Sequence, residues 1–218
     1  MEGDSIVIED HHRRAAAAIA KSLVPALKRT AERRAITIAG ESGSGKSETA
    51  AALEEALAES DVKALVLQQD DYFVHPPRSN DAARRRDIDW VGTGEVRLDL
   101  MDEHLKTFLQ GAESFEKPLV IYERDTVESE SFDCAGAQVM IAEGTYTTLL
   151  KSAHWRVFIA RDWEQTRAHR EKRRRDDSEL DPFIDRVLKI EHDIISRHRA
   201  LADFVIESDY SVAAGESS

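Results

Sequence analysis

Short apolar runs alternate with longer stretches of helical spacing along most of the chain. Residues 35–40 (AITIAG), 63–68 (KALVLQ), 117–123 (KPLVIYE), 137–144 (AQVMIAEG), 155–160 (WRVFIA) and 203–208 (DFVIES) read as strands. Between them, residues 47–60, 95–111, 163–176 and 182–201 carry helical spacing. Residues 12–33 predict one or two helices ahead of the first strand, broken near Pro25, because proline lacks an amide and crowds the preceding turn. Strands alternating with helices imply an α/β class, a parallel sheet with helices on both faces. Such sheets bind ligands beyond the carboxyl ends of their strands. Three strands end in residues suited to chemistry: the first in Gly40, the second in Gln68-Gln69-Asp70-Asp71, the fourth in Glu143-Gly144.

Between the first strand and the following helix stands Gly40-Glu41-Ser42-Gly43-Ser44-Gly45-Lys46-Ser47, which fits G-x-x-x-x-G-K-[ST]. A loop that wraps a polyphosphate must turn many backbone N–H groups inward, and side chains would obstruct them. Glycine permits the close approach and the unusual dihedrals. The helix that starts near Lys46 aims its N-terminal amides and positive dipole end at the same anion. Gly40, Ser42, Gly43, Ser44, Gly45, Lys46, Ser47 and Glu48 are therefore the candidate ATP-binding residues, with Lys46 bridging the β and γ phosphates and the Ser47 hydroxyl on Mg²⁺. The fold expected is a P-loop NTPase-type sheet.

Two acidic positions complete the chemistry. Phosphoryl transfer to an alcohol needs a carboxylate that orients the hydroxyl and takes its proton, and Asp70 or Asp71 after the second strand could serve. Glu143 ends an apolar strand as a Walker B acid does, opposite Ser47, and is the second candidate metal residue.

Composition narrows the partners. The chain has 218 residues, enough for one ordinary domain, and is 41% hydrophobic and 33% charged, so it is globular. Its net charge of −12 argues against nucleic acid as the main partner. The N-terminus MEGDSIVIEDHHRR lacks the pattern of a secretory signal and no run reaches membrane-spanning length, so a cytoplasmic protein without membrane contact is expected. The single Cys134 excludes an internal disulfide and a cysteine-rich metal site. His192 and His198, six residues apart, do not share a helix face and are read as structural or surface residues. Positive charge clusters in RAHREKRRRDD at 167–177. Arg167, Arg170 and Arg174 follow i, i+3, i+7 and would share one helix face, as a phosphate clamp requires.

The P-loop, the second-strand aspartate followed by aromatics, the "EG" of the fourth strand and the arginine-rich segment together resemble the uridine kinase and phosphoribulokinase family, over about residues 36–208. The resemblance implies a kinase domain at 35–218, with an N-terminal helical extension at 1–34 and a lid at about 161–180. It implies that Asp70 is the base in Gln69-Asp70-Asp71-Tyr72-Phe73, that Glu143 holds Mg²⁺, and that Arg170 and Arg174 of the lid neutralise the transferred group. It places Tyr72, Asp89 and Tyr122 with Asp70 around the acceptor, and Arg97 and Arg124 add positive charge there that would suit a carboxylate- or phosphate-bearing acceptor. In part this chain departs from the family's nucleoside pattern: Trp90-Val91 stand for a His-Pro and Val127 for a base-contacting histidine.

The expected activity is thus ATP- and Mg²⁺-dependent phosphoryl transfer to a small-molecule alcohol. A nucleoside acceptor comes first by resemblance; a sugar, hydroxy acid, pantothenate or pentose phosphate is the alternative. A nucleotide-dependent switch or ATPase is the rival of another class, though no N/T-K-x-D guanine motif is present. The reading leaves room for a homo-oligomer.

Overall fold

A computed structural model describes residues 6–166 and 181–215. Helix α1 covers Asp10–Leu27, strand β1 Arg34–Gly40, helix α2 Lys46–Ala58 and strand β2 Ala64–Gln68. Helices α3 (Pro77–Arg86) and α4 (Leu98–Leu109) follow, then strands β3 (Ser114–Ile121), β4 (Thr126–Asp133), β5 (Val139–Glu143) and β6 (Trp155–Ile159). Helix α5 (Pro182–Ile195) and strands β7 (Phe204–Ile206) and β8 (Val212–Ala214) end the described order, which is punctuated by short 3-10 turns.

Six strands form one sheet in the order β2-β5-β1-β6-β7-β8. All neighbours pair in parallel except the β7–β8 edge. Alternate residues of each strand enter opposite cores. Ile36, Ile38, Ile141, Val157 and Ile159 pack with α1 and α2, whereas Ala35, Ala39, Met140, Ala142 and Phe158 pack with α4, Tyr72, Tyr146 and Ile195 of α5. This is the expected P-loop-type α/β sheet with helices on both faces. The register brings the functional strand ends level. Glu143 lies opposite Ile38 of β1 and Gln68 of β2, and Gly40 lies opposite Ile159 of β6.

Several elements differ from the sequence reading. Helix α1 runs unbroken to Leu27, because Pro25 falls in its last turn, where the loss of one amide bond ends little helix. The run at 117–123 is no member of the main sheet; it belongs to β3, which pairs antiparallel with β4 as a separate hairpin. Strand β4 (TVESESFD) is exposed along most of its length, so it carries no hydrophobic alternation to betray it. The stretch 95–111 starts its helix only at Leu98, after a 3-10 turn at Thr93–Glu95.

Candidate active site

The phosphate loop owes its shape to its glycines and to contacts from distant segments. Gly43 and Gly45 have φ of 74° and 94°, the left-handed region that glycine tolerates. A Cβ on Gly40 would lie 2.8 Å from Ser44 Oγ and 3.1 Å from the Ile159 carbonyl. Lys46 Nζ donates to the Glu41 carbonyl at 2.9 Å, folding back over the loop. Thr166 Oγ1 donates to the Ser42 carbonyl at 3.0 Å, tying the start of the expected lid to the loop.

Beyond the loop, Ser47 Oγ donates to Glu143 Oε1 at 3.1 Å, so the first turn of α2 meets the end of β5. Burial and the nearby Asp70 charge push the Glu143 carboxyl up to about 7, against the opposing pull of Lys46 and the Ser47 hydrogen bond. A hydroxyl and a buried carboxylate, both hard oxygen donors, suit Mg²⁺ when phosphate oxygens and water supply the remaining ligands. Among the described residues no group of three or more His, Cys, Asp or Glu could hold a metal ion by itself.

Asp70 lies close to this same place. It lies in the 3-10 turn Gln69–Tyr72, two residues past the level of Glu143, and its charge bears on Glu143. Its neighbours hold the turn from both sides. Gln69 Oε1 accepts from the Tyr146 amide at 2.7 Å and its Cβ would stand 2.2 Å from a Cβ on Gly144, so only glycine fits after Glu143. Asp71 is buried, accepting from Lys117 Nζ at 2.8 Å and from the Val120 amide at 3.1 Å. Of the two aspartates that spacing left equivalent, Asp71 is thus committed to the hairpin, whereas the charge of Asp70 bears on Glu143.

The expected acceptor residues divide. Tyr72 is fully buried, and its hydroxyl pairs with His104 Nδ1 at 2.7 Å. The aromatic two residues after Asp70 is here a core residue with a satisfied polar end. Arg124 is exposed at the hairpin and pairs with Glu128 at 2.7 Å. Asp89 is exposed on a 3-10 turn, and Arg97 is exposed at the start of α4, its amide donating to the Tyr72 carbonyl at 2.8 Å. Tyr122 is half-buried where the hairpin turns. Glu48 is buried behind the loop, so it contributes backbone at the N-terminus of α2 rather than an exposed carboxylate. Arg170 and Arg174 lie outside the described residues, as does Arg167.

Several functional neighbours escaped the sequence reading. His192 of α5 contacts Glu41 of the phosphate loop, Nδ1 to Oε1 at 2.6 Å, and that carboxylate holds the imidazole above its ordinary range. Asp125 of the hairpin accepts from the Arg78 and Ser79 amides at 2.8 and 3.1 Å, capping α3 from another segment. Arg84 bridges Glu95 at 2.5 Å and Glu191 at 3.0 Å, locking α3 to α5. Partners this far apart in the chain leave no local signal.

A family model described as the phosphoribulokinase/uridine kinase family matches residues 35–162. The chain is 30% identical over 189 residues, 81% of its length, to a bifunctional alpha-galactosidase/sucrose kinase, AgaSK, of Mediterraneibacter gnavus, and spans 20% of that relative. Its fold is similar to that of a possible uridine kinase from Bacillus stearothermophilus (TM-score 0.60, 19% identity, 88% of this chain and 97% of that one). It is similar also to D-glycerate 3-kinase from Cryptococcus neoformans (TM-score 0.60, 11% identity, 94% and 99%). The matched span contains the phosphate loop, Asp70 and Glu143 together, and the chain belongs to the phosphoribulokinase/uridine kinase family.

Proposed function

We propose that this chain transfers the γ-phosphoryl group of ATP to a hydroxyl of a sugar, free or within a nucleoside. The observation that carries the reading is the convergence of Ser47, Glu143 and Asp70 at the mouth of the glycine loop. In this reading the amides of 43–48 and the Lys46 ammonium hold the phosphates. Mg²⁺, carried by Ser47 and Glu143, offsets the phosphate charge when bound. The acceptor oxygen forms its bond to the γ-phosphorus while the bond to ADP breaks, and the hydroxyl proton passes to the Asp70 carboxylate. The Asp71–Lys117 pair keeps that turn in place. Arg170 and Arg174 are the arginines proposed to neutralise the transferred group.

The sugar acceptor draws support from two sides. The relative at 30% identity has sucrose kinase in its name. Trp90, Val91 and Val127 replace the nucleoside-contacting residues expected of uridine kinases. Residues 35–218 are the proposed kinase domain, 161–180 its lid, and the cytoplasm its place of work. Among the described residues no helix is long and apolar enough to cross a membrane.

A panel of sugars, nucleosides, glycerate and pantothenate, followed by labelled γ-phosphate transfer, tests the reading. Transfer to a sugar or nucleoside hydroxyl supports it. Acceptor-independent ATP hydrolysis, unaltered by any alcohol, would favour the switch or ATPase class instead.

A further inference from the structure

The first turn of α1 touches the glycine loop, although it precedes the residues that the family model matches. His12 is 1% exposed, and its Nε2 lies 2.9 Å from where a Cβ on Gly45 would stand. The Tyr210 hydroxyl lies 3.3 Å from the same point. Tyr210 follows β7 in the left-handed region, with φ of 64°, a conformation that a bulky residue keeps only when its surroundings hold it. Among the described residues, three meet its ring and hydroxyl. Arg161, just past β6, donates to the Tyr210 hydroxyl and lies over its ring, 5.0 Å from the centroid. The His11 ring centroid is 4.0 Å from that of Tyr210. The third is His12, whose Nε2 is 3.4 Å from the hydroxyl.

The hydrogen bonding assigns the protons of His12. Its Nδ1 accepts from the Glu9 amide at 3.1 Å, so in the neutral ring Nε2 carries the proton and donates toward Tyr210. One nitrogen therefore caps α1 and the other reaches the nucleotide side. Gly45 is the N-cap of α2, and the amides following it are those that face a phosphate. A ring packed against its back limits how far that cap can drift.

We infer that the first turn of α1 is part of the nucleotide site, and that His12 is a positioning residue that braces Gly45 and Tyr210 for the nucleotide. The inference rests on the ATP site proposed above. His12 need not touch the nucleotide; it acts through the loop and through Tyr210. Its effect belongs in nucleotide affinity, with kcat at saturation little changed.

The two nitrogens allow a test that separates bracing from capping. Asparagine in place of His12 keeps an acceptor near Nδ1 and loses the reach to Tyr210; glutamine keeps a donor near Nε2. Calorimetric titration with Mg·ADP should show H12N weakened about fivefold, the worth of one ordinary hydrogen bond, and H12Q near wild type. Tyr210→Phe should weaken binding by a similar factor, and combining it with H12N should add little. H12N that binds Mg·ADP as tightly as wild type, with only a lower melting temperature, overturns the inference and leaves His12 a helix cap. H12Q as weak as H12N overturns it too. Wild type that binds no Mg·ADP removes the nucleotide site itself, a failure visible before any variant is compared.

Discussion

The Ser47 hydroxyl donates to Glu143 Oε1 across 3.1 Å, although 96 residues separate them in the chain. The parallel sheet makes this contact. Strands β1 and β5 are neighbours, so the loop leaving one and the acid ending the other meet at the same edge. Without a divalent cation the pair leaves a buried carboxylate beside Asp70, and the cost of that charge sets the first prediction.

Burial and the neighbouring Asp70 charge push the Glu143 carboxyl up to about 7 in the folded chain, from an ordinary 4.5. Its folded value lies above the unfolded one, so its contribution favours folding most below the ordinary carboxylate range and is lost as pH rises through about 7. The loss is on the order of 3 kcal/mol, since each tenfold change in proton affinity is worth about 1.4 kcal/mol. In EDTA, the stability of wild type relative to Glu143→Gln should fall between pH 5 and 8. Saturating Mg·ADP should flatten that slope, because a cation beside the carboxylate favours its charged form. Denaturant unfolding across that pH range, with and without Mg·ADP, checks both halves.

Lys117 and Asp71 are each almost fully buried, 2.8 Å apart, with Glu130 2.5 Å from the lysine on its other side. Removing one partner of such a pair strands the other charge. Lys117→Met should cost about 3 kcal/mol or more in urea unfolding, and adding Asp71→Asn should return part of it. The same variant should lower kcat more than it changes nucleotide affinity, since Asp71 holds the turn that carries Asp70.

Gly144→Ala would place its Cβ 2.2 Å from Gln69 Cβ. No rotamer relieves a contact made by two Cβ atoms, so the Gln69–Tyr72 turn must move. We expect transfer at least about tenfold slower, in keeping with the sensitivity of such chemistry to small displacements. Affinity for Mg·ADP should stay close to wild type. Steady-state kinetics set beside a nucleotide titration separate the two effects.

How much of this was legible from residues alone differs from element to element. The glycine loop, Asp70 and Glu143 announce themselves, because phosphate binding demands bare backbone, one lysine and one hydroxyl in fixed order, and because strand ends carry the acids. The central strands were legible for the same reason, as apolar runs bounded by glycine or acids. Strand β4 was not, since its polar, exposed residues carry no period. The burial of Tyr72 against His104 was not legible, because an aromatic following an acidic strand end reads alike whether it faces a ligand or the core. Contacts such as His12 with Tyr210, or Glu41 with His192, join residues 198 and 151 positions apart, and no local pattern encodes them.

The central claim is that Asp70 takes the proton of an alcohol poised against the γ-phosphate. The most direct test is the rate of γ-phosphate transfer by Asp70→Asn, at saturating Mg·ATP and acceptor, with nucleotide affinity measured on the same preparation. Asparagine keeps the shape and removes the base. The account predicts a rate lower by about 10²- to 10⁴-fold with Mg·ADP affinity unchanged. Transfer at the wild-type rate would contradict it.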